Sequence, residues 1–119
     1  MKDWDGAVST YRRMIERHPE DPGTLNAFAW FAATQGVALE EATAVARKAV
    51  KLSDNSPGLL DTLAEVYYAR GLHQDAIATI REAITQEPDD TYFQGQLTKF
   101  EKALEKSKSG GAGVSGSDR

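Results

Sequence analysis

A chain of 119 residues with 40% hydrophobic and 27% charged residues has the length and composition of one globular domain, and leaves no room for a second core of its own. Its net charge of -4 repels a phosphate backbone, and no Lys/Arg stripe with interleaved aromatics offsets that charge, so nucleic acid is not expected as a partner. Zero cysteines exclude disulfides, thiolate catalysis and Cys-based zinc sites, and no apolar run approaches the roughly 20 residues that span a bilayer.

The first element predicted is a helix within residues 3 to 19, with Ala7, Val8, Tyr11, Met14 and Ile15 on one stripe and Pro19 behind it. Residues 22 to 36 form the next helix: Leu25, Phe28 and Ala29 recur at i, i+3 and i+4, Pro22 suits the first helical position, and Gly36 ends the run. After the turn VALEE a third helix carries Ala42, Thr43, Ala46, Ala49 and Val50. The fourth opens with Ser56 as N-cap and Pro57 at its first position. Leu60, Leu63, Ala64, Tyr67 and Tyr68 form its stripe, and Gly71 follows. A fifth carries Ala76, Ile77, Ile80, Ala83 and Ile84 and stops before Pro88. The sixth, capped by Asp89 or Asp90, runs over residues 91 to 106 with Phe93, Leu97, Phe100 and Leu104 as its apolar face. Beyond it, residues 107 to 119 are rich in Gly and Ser and are expected to be disordered, because they bury too little surface to offset their ordering entropy.

These elements repeat. PGTLNAFAWFAATQG at Pro22 aligns with PGLLDTLAEVYYARG at Pro57, an offset of 35 residues, and the second helix of the unit recurs three times, in the segments around Ala7, Ala42 and Ala76. Residues 57 to 90 resemble the tetratricopeptide repeat, whose pattern is carried here by Leu60, Leu63, Ala64, Tyr67, Ala76, Ile80, Ala83 and Pro88. Residues 22 to 56 look like a looser copy: the turn holds one extra residue, Ala32 replaces the aromatic, and Asp54 stands where the closing proline would fall. Residues 3 to 19 match only the second half of a repeat. The resemblance implies an all-α fold, an α-α superhelix of about six helices: a single domain over residues 1 to 106, ending in a capping helix made polar at Gln94, Glu101 and Lys102. It further suggests a bacterial protein of this type, or a C-terminal piece of a longer array.

For function, the resemblance implies a protein-protein interaction module, in which the first helix of each hairpin lines a groove for a peptide or helix of a partner. The groove candidates, each set at i, i+4, i+7, are Asn26, Trp30 and Ala33 on one such helix and Asp61, Glu65 and Tyr68 on the next. An aromatic such as Trp30 at helical spacing is more often core than platform, and a pair such as Asp61 and Glu65 most often only solvates a helix face. One subtype of the family clamps a C-terminal carboxylate with Lys, Asn and Arg. This chain offers Asn26 but acids at Asp61 and Glu65, so a neutral or basic contact is expected. The alternative is an architectural or self-associating segment. Ala7, Tyr11 and Met14 of the first helix lack a hairpin partner and are candidates for a homodimer contact.

Nothing points to catalysis or to a cofactor. His18 precedes a proline, His73 lies near the hairpin turn, and neither has a second His at metal-ligand spacing. There is no Gly-rich phosphate loop and no serine in a nucleophile-elbow context. With no secretion signal at MKDWDGAV, the cytoplasm is the default compartment, and a membrane partner is not expected.

Overall fold

The computed structural model describes residues 4 to 117, with side chains as far as Ser109. Six α-helices follow one another: α1 (Asp5–Arg17), α2 (Pro22–Gln35), α3 (Leu39–Leu52), α4 (Pro57–Ala69), α5 (His73–Gln86) and α6 (Thr91–Ser117). There is no strand among the described residues. The backbone of α6 runs on past Lys106. Most of the segment expected to be disordered lies beyond the last described side chain, and residues 118 and 119 lie outside the described residues.

Local chemistry sets the boundaries. The Asp21 carboxylate caps α2 by accepting from the Thr24 hydroxyl at 2.6 Å and the Gly23 N–H at 3.3 Å. The Thr24 bond is the main reason that its pKa falls below the usual carboxylate range, with burial opposing. Gly36, at φ 70, closes the helix in the left-handed region, and its N–H donates to the Ala32 carbonyl at 2.8 Å. The extra residue of the following turn is absorbed at Ala38, which itself takes φ 49. The missing proline after α3 also has a reason. Asp54 and Asn55 adopt φ 56 and 64, which a ring locked near about -65° cannot reach. At α4 the expectation needs correction, because Ser56 occupies the N-cap position without a side-chain capping bond. Its own N–H donates to Ser53 Oγ at 3.2 Å, and Pro57 at the first position removes one donor that would need a partner. For α6 the cap is Asp90, whose carboxylate accepts from the Phe93 N–H at 3.0 Å.

The hairpins stack as the repeat requires. α2 packs with α3, α4 with α5, and α4 also packs against α2 and α3, while α6 closes the stack on α5. One continuous core runs from Val8 in α1 to Phe100 in α6. Small residues sit where helices approach most closely: Ala29, Ala32, Ala42, Ala64, Ala76 and Ala83 are fully buried. Phe28, Leu25, Leu60, Ile80 and Phe100 fill the spaces between them. Tyr67 is buried as expected, and its hydroxyl accepts from Arg47 Nε at 2.9 Å, which joins α3 to α4 with no polar group stranded. Ion pairs tie successive hairpins together on the outside: Arg12 of α1 chelates Glu41 of α3, with its shortest contact at 2.7 Å, and Lys48 of α3 reaches Glu20 at 3.1 Å. The Arg12 hydrogen bonds hold the Glu41 carboxyl below its usual range.

Candidate partner-binding face

The first helices of the hairpins, α2 and α4, present the two sets of predicted groove residues in different states. On α2, Gly23, Ala27, Trp30 and Thr34 form an exposed stripe at i, i+4, i+7 and i+11. Trp30 keeps 37% of its surface in solvent, so it is a half-exposed aromatic rather than a core residue. Ala33 is buried. Asn26 is partly buried, and its side-chain oxygen is fully enclosed without a hydrogen-bond partner. Such an acceptor costs about 1–3 kcal/mol until an N–H reaches it.

On α4 the corresponding residues are enclosed. Asp61 and Glu65 retain only 7% and 8% of their surface, so they are not the solvated face that an i, i+4 carboxylate pair usually makes. The closing helix covers them. Gln96 Nε2 donates to Asp61 Oδ1 at 2.9 Å and to Glu65 Oε1 at 2.8 Å, and Lys99 Nζ donates to the same Glu65 oxygen. The Tyr92 hydroxyl also interacts with Asp61 at the edge of the cluster. Both carboxylates are thus taken out of water with partners in place, the condition under which buried charge is tolerated.

The titration of the cluster follows from its burial. Desolvation pushes the Asp61 carboxyl up from its ordinary value, the Gln96 bond pulls it partly back, and the neighbouring Glu65 charge adds to the rise. Tyr92 is pushed up to about 12, first by desolvation and then by the Asp61 and Glu65 charges, which resist a third negative charge. Tyr68 is partly buried. Its ring lies 5.2 Å from Phe100 and 6.1 Å from His73, with the Lys99 ammonium 4.7 Å from its centroid, so α6 engages it through stacking and a cation–π contact.

The three predicted self-association residues also separate. Tyr11 turns inward and packs its ring 5.9 Å from Phe28 and 5.1 Å from Phe31 of α2. Ala7 is partly buried, and Met14 is exposed. Sequence reasoning did not find Gln96, Lys99 and Tyr92. Their one sequence signature is the i, i+3 spacing of Gln96 and Lys99 beside the apolar stripe of α6, and that spacing alone does not say which helix they meet.

Among the described residues no group of His, Asp and Glu could hold a metal ion, and no helix is long and apolar enough to cross a membrane. What the geometry defines is a class: stacked antiparallel helical hairpins with small residues at the close approaches and a polar-flanked closing helix. Comparison with known families agrees. A tetratricopeptide repeat model matches residues 38–100, more than half of the chain, and a second tetratricopeptide repeat model matches residues 1–21. The chain belongs to the tetratricopeptide repeat family, whose members generally act by binding other proteins rather than by catalysis. A bacterial relative is the TPR repeat-containing protein PA4667 of Pseudomonas aeruginosa, 32% identical over 78 residues. That match covers 66% of this chain but only 13% of the relative.

Proposed function

We propose that the chain binds a partner protein along α2, on the face carrying Gly23, Ala27, Trp30 and Thr34, and that the contacting segment of the partner is neutral or basic. The observation that carries this reading is Trp30: a large aromatic held half-exposed on a rigid helix, with small residues one turn before and after it. Tryptophan concentrates binding energy because it offers a broad apolar face and one N–H donor at little entropic cost. Asn26, one turn earlier, lies on the inner edge of this stripe and is partly buried. Asp61, Glu65 and Tyr68 belong to the same face by register, and their part is to seat α6 beside the contact. With two carboxylates against one ammonium, their cluster still biases the face toward a basic partner.

Affinity capture with the wild-type chain and a Trp30→Ala variant, each checked for unchanged helicity, tests the reading. A partner retained by the wild type and lost by the variant supports it. Equal recovery from both removes α2 as the contact.

A further inference from the structure

The second helices of the repeat share an arginine. Counted from Ala7, Ala42 and Ala76, the same position holds Arg12 in α1, Arg47 in α3 and Arg81 in α5. The outer two are neutralised, Arg12 by Glu41 and Arg81 by Glu101. Arg47 is not. Its Nε donates to the Tyr67 hydroxyl at 2.9 Å and its guanidinium carbon lies 5.8 Å from the Tyr67 ring centre, while among the described residues no carboxylate pairs with it. The first helices add a second charge at the same junction. Where α2 ends in Gln35 and the equivalent position of α6 is Leu104, α4 ends at Arg70. Arg70 Nη1 donates to the Thr43 hydroxyl at 3.1 Å, and it too pairs with no carboxylate among the described residues.

The two bonds are neighbouring rungs across one seam. Thr43 and Arg47 stand one turn apart on α3, as Tyr67 and Arg70 do on α4, so the rungs are separated by about 6 Å along the seam. Thr43 and Tyr67 behind are 7% and 8% exposed, whereas both arginines are exposed. The hydroxyls fix the guanidiniums without cancelling their charge. Thr43 is used in both directions, since it also donates to the Leu39 carbonyl at 2.8 Å, and Tyr67 accepts from Arg47 while keeping its own proton to give. Each arginine retains an edge with two kinds of donor, Nη1 and Nη2 on Arg47 and Nε and Nη2 on Arg70. One turn beyond Arg47 stands Lys51, and Glu40 in the first turn of α3 is exposed and pairs with neither arginine. Arg70 alone would answer the dipole at the end of α4; a second guanidinium beside it only adds repulsion. We infer that Arg47 and Arg70 together form a site for a phosphate monoester. A carboxylate or a phosphodiester has two free oxygens, enough for one fork, whereas a monoester brings three and a charge near -2 to meet both. The site shares no residue with the α2 face and takes a ligand of the opposite charge.

The test is an NMR titration of the full 119-residue chain at constant ionic strength, following the arginine Nε–H signals. The probes are N-acetyl-O-phosphoserine amide, inorganic phosphate and, as the two-oxygen control, acetate. With both phosphate probes, Arg47 and Arg70 are expected to shift together on one saturating curve while Arg12 and Arg81 stay in place, and acetate binds about tenfold more weakly or less. Arg47→Lys keeps the charge but loses the fork, and Arg70→Gln loses the charge. Each weakens binding by about tenfold, whereas Arg12→Gln leaves it unchanged, with circular dichroism confirming that every variant is folded. Tighter binding of the phosphoserine amide than of inorganic phosphate supports the site and identifies its ligand as a modified side chain; the reverse order supports it for free phosphate. An absence of saturating shifts at Arg47 and Arg70, equal movement of all the arginines, acetate matching the phosphate probes, or full binding by Arg70→Gln would each overturn the inference.

Discussion

Replacing Gln96 by alanine tests the packing of α6 on α4 through the group that holds it. The side-chain amide donates at 2.9 Å to Asp61 and at 2.8 Å to Glu65, both buried carboxylates. Hydrogen bonds to charged groups contribute about 1.5–3 kcal/mol each, which sets an upper bound of about 3–6 kcal/mol for losing two. Lys99 still reaches Glu65 in the variant. Tyr92 is also 54% exposed, so water has a path to the vacated oxygens. A loss of about 2–3 kcal/mol is therefore expected. Urea titration followed by circular dichroism reads it as a lower midpoint with an unchanged slope. A loss below about 0.5 kcal/mol, the scale of an ordinary surface substitution, would refute the claim that Gln96 secures a buried acid pair.

Other substitutions separate the remaining contributions. Asp61→Asn keeps an acceptor for Gln96 but removes the carboxyl that burial pushes above its ordinary value of 3.8. The folded state holds that proton to higher pH than the unfolded state, so the penalty for ionising Asp61 is absent below 3.8 and grows as pH rises through the folded value. The variant should accordingly be more stable than wild type near neutral pH, with the gain fading as pH falls toward 3.8 in parallel urea titrations; a pH-independent difference would contradict this sign. Phe100→Ala empties a fully buried site between α6 and the core, and should cost about 3–5 kcal/mol of unfolding free energy in the same assay. Ala64→Leu overpacks a fully buried close approach in α4 and should cost about 1–3 kcal/mol, with a native-like value marking Ala64 as a site with spare room.

The sequence reveals helix boundaries and the core because both are periodic or local. Phe28, Ala64 and Ile80 stand out by spacing, and Gly36 and Asp90 by the geometry that a helix end requires. Ser56 shows where local reasoning fails, since a residue of the right type at an N-cap position need not turn its hydroxyl to the helix. The polar cluster was out of reach for a different reason. Spacing assigns Asp61 and Glu65 to one face of α4, yet nothing within α4 says whether water or another helix lies opposite that face. The covering residues Tyr92, Gln96 and Lys99 sit about 30 positions away on a helix whose visible pattern is its apolar stripe. Trp30 was ambiguous on the same grounds, because an aromatic on a groove-facing stripe is core or surface according to what packs over it.

Contact through α2 is tested most directly by placing a photo-crosslinking residue at Ala27 in one chain and at Glu82, exposed on α5, in another, and identifying what each captures under the same conditions. Cross-linking of a partner protein from position 27, with none from position 82, is the predicted result. Capture of that partner from position 82 and not from position 27 would contradict it.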